Sequence, residues 1–125
     1  FPAYSPDWDI RKQDYENVTL DFSHTAVSRT DPMEMMRDFG ERLKHIHLAD
    51  GTDSPADEHL VPGRGTQPVR EGLEFLKNSG FTGNIIAEIT TRSARDRDER
   101  ISDVRASLNF VRQVFPHRVF SSGEE

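Results

Sequence analysis

The chain has 125 residues, 30% of them charged and 34% apolar, with a formal net charge of −6. That composition suits one folded α/β domain with a modest core, not a disordered chain, and the acidic balance argues against gripping nucleic-acid phosphates by bulk charge. Cysteine is absent, which excludes a disulfide framework, a thiolate zinc site and a cysteine nucleophile, so any metal must be held by oxygen and nitrogen.

Residues 1–17 read as an irregular lead-in, with Pro2, Tyr4, Pro6, Trp8 and Tyr15 scattered among charges. Trp8 and the tyrosines near it read equally as a sugar-lining patch and as packing against a missing part of the protein. The chain opens on Phe1 rather than Met, so the expectation is a piece of a longer protein. Residues 18–22 read as a short buried strand ending in the polar run Ser23-His24-Thr25. A helix is expected from Asp31-Pro32: Asp31 can cap, proline suits the first position, and Glu34 completes a capping box. Met36, Phe39 and Leu43 are expected on its apolar face, with Met33, Met35 and Met36 in the core or on that face.

Residues 44–49 read as a second strand, with His45 and His47 on one face and Ile46 and Leu48 on the other. A long polar loop follows to Gln67. Pro68 opens a helix with Val69, Leu73 and Leu76 on one side, and Asn78-Ser79-Gly80 stops it. Residues 84–89 read as a third strand. The charges of residues 92–100 alternate in sign, so a solvated loop and helix start are expected there rather than a phosphate site. The last helix is expected over 97–115, with Ile101, Val104, Leu108, Val111 and Phe115 on one face, and residues 117–125 read as a tail. No apolar run approaches the roughly 18 residues of a spanning helix and no signal peptide is visible, so a cytoplasmic protein without a membrane partner is expected.

The order β-α-β-α-β-α implies parallel strands with crossover helices. It belongs to an open doubly wound sheet or to a barrel, and in both the chemistry sits at the carboxyl ends of the strands. Asp21, His24, His47 and Glu88 all fall near such ends. Taken singly, Asp21 also reads as a turn cap and His47 as a hydrogen-bonded core histidine. Glu88 lies in an apolar strand, where a carboxylate needs compensation for lost water. Asp57 and His59 lie in a polar loop, where solvated surface is the ordinary reading. Acids and imidazoles at corresponding ends of three units form the set a hard or borderline divalent metal requires.

The run Leu20-Asp21-Phe22-Ser23-His24 resembles the Asp-x-x-His motif of the xylose isomerase-like barrel superfamily. Ile46-His47-Leu48-Ala49-Asp50 is similar to that group's next strand end. Asp57-Glu58-His59 and Pro62-Gly63-Arg64-Gly65 resemble the loop after it, and Asn84-Ile85-Ile86-Ala87-Glu88 its final strand. The resemblance implies the carboxyl-terminal part, about strands six to eight, of a single (β/α)8 TIM-barrel domain spanning residues 1–125; a whole barrel needs roughly 250 residues. The amino-terminal half of the same barrel is then an expected partner. The piece alone is expected to be inactive, and to associate with that half or with a second copy.

In the isomerase branch, the resemblance implies that Asp21, His47 and Glu88 hold one divalent metal (Mn, Mg, Co or Zn). A further ligand would come from a glutamate on an earlier strand; no residue here matches it. The implied activity is isomerisation or epimerisation of a sugar or sugar phosphate, by carboxylate proton transfer through a metal-stabilised enediolate. Glu88 would be metal ligand and acid/base, and His24 would hydrogen-bond a substrate oxygen. His24, Asp57, His59 and Arg64 would form the substrate-binding or second metal site, with Arg64 reading equally as a solvated loop residue. Two alternatives stay open. Endonuclease IV, in the same superfamily, cleaves abasic DNA with three zinc ions, and Asp57, His59 and His24 match its third site. The other is a barrel that has lost catalysis and serves as a binding module.

Overall fold

The computed structural model describes residues 9–52 and 54–116. Pro2, Tyr4, Pro6, Trp8 and the tail expected at 117–125 lie outside them. Three parallel strands, β1 (Val18–Asp21), β2 (Leu43–Leu48) and β3 (Asn84–Ala87), form one sheet in that order. Among the described residues the helices are α1 (Phe22–Ser28), α2 (Pro32–Phe39), α3 (Val69–Asn78) and α4 (Arg97–Arg112). The expected alternation of parallel strands and helices is present, with one helix more than the sequence reading contained.

Strand register aligns the polar face. Thr19 lies opposite His45, which lies opposite Asn84; Asp21 lies opposite His47, which lies opposite Ile86. Because side chains alternate across a strand, Leu20, Ile46 and Leu48 point the other way and are buried. They join Phe22, Met35, Met36, Phe39, Val69, Leu73, Leu76 and Val111 in one core. Fully burying a side chain of this size contributes about 1.5–3 kcal/mol.

The first strand ends one residue earlier than expected, and Phe22 opens α1. The cause is Asp21: its carboxylate accepts the backbone N–H groups of Ser23 and His24, an N-cap that turns the chain into a helix. Ser, Thr and Val are indifferent helix formers, so the run at 23–28 shows little helical propensity. Helix α2 starts as expected, with Asp31 accepting the Met33 N–H and Pro32 in the first turn. Glu34 does not close a capping box but pairs with Arg11. The helix stops at Phe39, because Gly40 takes a positive φ of 54° and a short 3-10 turn follows. Leu43 therefore reaches the core from β2, not from the helix face.

Helix α3 buries Val69, Leu73 and Leu76 as expected. The third strand ends at Ala87, and the Glu88 N–H adds one further bond to the Leu48 carbonyl. This strand is less buried than its sequence suggests: Ile86 is 50% exposed and the Glu88 side chain 50%. Helix α4 ends at Arg112, short of the expected 115. Its 3-4 stripe is turned partly outward, with Ile101 and Val104 exposed, while Asp103, Ser107 and Val111 are buried. The inward Asp103 pairs with Arg64 at 2.9 Å. Among the described residues no helix is long and apolar enough to cross a membrane.

Candidate metal centre

Asp21, His47 and Glu88 stand at the carboxyl ends of β1, β2 and β3. Asp21 is buried, and its two oxygens divide their work. Oδ1 accepts the N–H groups of Ser23 at 2.9 Å and His24 at 3.1 Å. Oδ2 faces His47 Nδ1 at 3.3 Å and His24 Nε2 at 3.8 Å. The same His47 Nδ1 lies 2.7 Å from Glu88 Oε2. One imidazole nitrogen thus faces two carboxylates, a crowding that a cation between them would relieve. Donor atoms of this trio lie within 4.8 Å of one another. Oxygen, nitrogen and oxygen from three rigid strand ends suit a hard or borderline divalent ion.

A second group adjoins the first and shares Asp21. Donor atoms of Asp21, His24 and His59 also lie within 4.8 Å of one another. Asp57 Oδ2 sits 3.3 Å from His24 Nε2 and 3.1 Å from His59 Nε2. His59 takes a left-handed backbone, φ +48°, which disfavours a side chain with a Cβ. Three bonds hold it there: its N–H donates to Ser23 Oγ, its carbonyl accepts the Thr90 N–H, and its Nδ1 donates to the Glu88 carbonyl. His45 lies one layer below, its ring 5.0 Å from that of His47. Burial and the neighbouring His47 push its pKa below the usual histidine value.

The loop from Asp50 to Gln67 folds around Asp50, which is 1% exposed. Asp50 Oδ1 accepts the N–H groups of Gly51 and Gln67, and Oδ2 accepts that of Gly63. The Asp50 and Leu60 main chains pair in both directions. Gly65 packs so tightly that a Cβ there would lie 2.4 Å from Asp50 Oδ1. Glu58 accepts both the N–H and the hydroxyl of Thr52. Together these bonds bring Asp57 and His59 back over α1, so two loop residues that read as solvated surface become half-buried members of the centre.

Burial alone would raise the pKa of Asp57. The Ser23 hydroxyl and the imidazoles of His59 and His24 outweigh it, and the carboxyl lies below its usual range. For His59, burial lowers the pKa, but the charges of Asp57 and Asp21 and the bond to the Glu88 carbonyl raise it above the usual value. The depressed Asp57 contributes stability fully above its ordinary 3.8, lost as pH falls through the folded value. The raised His59 contributes fully below its ordinary 6.5, lost as pH rises through the folded value. In metal-free protein, the melting-temperature gap between wild type and Asp57→Asn should therefore be widest between those two values and narrow above them. A gap that does not vary with pH would refute the pairing.

Asp21, His24, His47, Asp57, His59 and Glu88 are thus brought together. Arg64 is not one of them: its ion-pair partner is Asp103 of α4, so it ties the loop to a helix. Sequence reasoning passed over Ser23 and Asp50. For Asp50 the available signal was an acid two residues beyond the buried end of a strand. For Ser23, whose bonds reach residues 34 and 36 positions away, there was none.

A parallel α/β layer carrying carboxylates and imidazoles at its strand ends defines a class of proteins whose chemistry sits at the carboxyl ends of the strands. Residues 10–114 match the sequence pattern of the xylose isomerase-like TIM barrel, and the chain belongs to that family. An uncharacterized protein of Mycobacterium tuberculosis is 48% identical over 110 residues, covering 88% of this chain and 39% of that protein. Fructoselysine 3-epimerase of Escherichia coli O157:H7 is 32% identical over 72 residues, 58% of this chain and 26% of the enzyme. Inosose dehydratase of Lacticaseibacillus casei is 31% identical over 91 residues, 60% of this chain and 30% of the enzyme. A crystal structure of a D-tagatose 3-epimerase-like protein superposes with a TM-score of 0.60 at 23% identity, over 80% of this chain and 36% of the other. The chain thus spans about two-fifths or less of the length of these relatives. The family and the parallel strands make this part of a barrel, which removes the doubly wound alternative.

Proposed function

We propose that the chain supplies strands six to eight of a divalent-metal-dependent isomerase or epimerase acting on a sugar or sugar phosphate. The observation that carries this reading is the convergence of Asp21, His47 and Glu88 from three adjacent parallel strands. These residues would hold the metal, whose charge would stabilise negative charge on a substrate oxygen and so ease loss of the neighbouring C–H proton. Glu88 is the base in this reading. It is half-exposed and so open to substrate, and it takes a proton from the carbon beside a carbonyl. A second acid on the opposite face, which the resemblance places on an earlier strand, would protonate the same carbon from that side to give the epimer. Glu88 returning its proton to the neighbouring carbon, while the hydroxyl on the first carbon gives up its proton and becomes the carbonyl, would give the isomer. His24 is placed to hold a substrate oxygen. The relatives named 3-epimerase and dehydratase support the reading, because both reactions involve removal of a proton from carbon by a base.

One observation favours a second reading. Asp57 Oδ2 lies between two imidazoles, an arrangement able to hold a further metal, as a zinc phosphodiesterase acting on abasic DNA would need. Counting metals separates the two. Titration calorimetry on the full-length protein should give one metal per chain, lost in Glu88→Gln. Two or three tightly held zinc ions would favour the phosphodiesterase. Absence of any metal binding would sink both and leave a binding module.

A further inference from the structure

Ser23 sits at the first turn of α1, fully buried, and touches two of the centre's three carboxylates, Asp21 and Asp57. Its N–H donates to Asp21 Oδ1 at 2.9 Å. Its hydroxyl donates to Asp57 Oδ1 at 2.6 Å and accepts the His59 N–H at 3.0 Å. Each of these two carboxylates thus has one oxygen fixed by Ser23, which leaves the other turned to the imidazoles: Asp21 Oδ2 toward His47 and His24, and Asp57 Oδ2 toward His24 and His59. A serine hydroxyl can donate one bond and accept others, and here it does both. The accepted bond falls on a residue whose left-handed backbone must be held in place by its surroundings.

We propose that Ser23 is a positioning residue that divides its labour: its main chain orients the metal ligand Asp21, while its hydroxyl orients the Asp57–His59 half of the centre. The inference rests on the functional reading above for what that half does, but not for how it is held. Asp57 and His59 come from a loop 34 and 36 residues further along the chain. Without the hydroxyl, the loop keeps its Asp50 scaffold and Asp57 Oδ2 keeps its approach to His24, but Asp57 Oδ1 and the His59 N–H lose their partner on α1.

The two functions separate cleanly in Ser23→Ala, which keeps the N–H and loses the hydroxyl. Two readouts are taken on full-length protein at one fixed pH. The first is the ring-nitrogen NMR shifts of His59 in the metal-free state, assigned with a His59→Gln control. The second is the affinity for Mn2+ alone. In wild type, the His59 ring should show a protonated Nδ1 held by the Glu88 carbonyl. In Ser23→Ala the His59 shifts should move toward those of a freely rotating imidazole. Affinity for Mn2+ should change by less than about threefold, because the main-chain hold on Asp21 survives. Ser23→Thr, which restores a hydroxyl, should return the His59 shifts. Should the added methyl prevent folding, the double variant Ser23→Ala/Asp57→Ala replaces that arm. Its effect on His59 should then be no larger than that of the greater single change, as expected for two groups acting in series.

Unmoved His59 shifts in a folded Ser23→Ala would overturn the proposal. So would a loss of Mn2+ affinity beyond about tenfold, which would mean that the whole centre had collapsed. If wild type binds no Mn2+, the functional reading fails, and the His59 shifts still decide the role of Ser23.

Discussion

Asp21→Asn is expected to abolish tight divalent-metal binding while leaving α1 folded, whereas Asp21→Ala should lose both. The distinction follows from the two oxygens. Oδ1 caps α1 by accepting the Ser23 and His24 amides, and an asparagine carbonyl does the same. Its NH2 group then takes the place of Oδ2, facing His47 and His24. The amide has the size and shape of the carboxylate, so α1 keeps its cap, but its NH2 group cannot ligate a cation. Outer-shell changes around metal ligands cost about 10–100-fold in affinity, and removal of a ligand shared by both groups should cost at least the upper figure. Alanine removes the cap as well, at about 0.5–2 kcal/mol. Calorimetric metal titration and thermal melts on both variants check this. Retained metal affinity in a folded Asp21→Asn would remove Asp21 from the ligand set.

The second large effect concerns Asp50. Its carboxylate is buried and accepts three backbone N–H groups, from Gly51, Gly63 and Gln67. In Asp50→Ala those three donors lose their acceptor inside a loop with little room for water. A buried group left unpaired costs about 1–3 kcal/mol, so a loss of at least ~3 kcal/mol is expected. Asp50→Asn should be nearly as harmful. Oδ1 carries two of the bonds, and whichever oxygen becomes NH2 then meets an N–H head on. The consequence is local as well as global. Asp57 and His59 depend on this loop, so cleavage by a nonspecific protease between residues 51 and 66 should appear before the sheet melts. If Asp50→Asn melts with wild type and the loop resists cleavage, Asp50 does not organise the loop.

The trio lies on strands, where positions are set by the ladder. His24 lies on a helix capped by Asp21, and Asp57 and His59 on a loop tied to a buried aspartate, a serine and the Thr90 amide. Placement is thus rigid on one side of Asp21 and built from long-range hydrogen bonds on the other.

The parallel β-α order, the strand-end positions of Asp21, His47 and Glu88, and the opposite faces taken by His47 and Ile46 are legible in the order of residues alone. Each rests on short-range periodicity or on strand alternation, which a single segment expresses without its neighbours. The sequence also supported the family resemblance, through motifs in the right order. The tertiary structure alone decided the rest. Helix α1 forms because Asp21 caps it, against the weak propensity of the residues that follow. Helix α2 stops at Gly40 and sends Leu43 into a strand. Asp103 and Ser107 are buried on α4, where Asp103 pairs with Arg64, while Ile101 and Val104 are left outside. The resemblance groups Asp57 and His59 with His24, but the bonds that hold them at the centre, to Ser23 and Glu88 roughly 30 residues away, exist only in the folded chain. Contacts of that span leave no periodic trace in sequence, since their energy depends on the loop's closed shape rather than on its local composition.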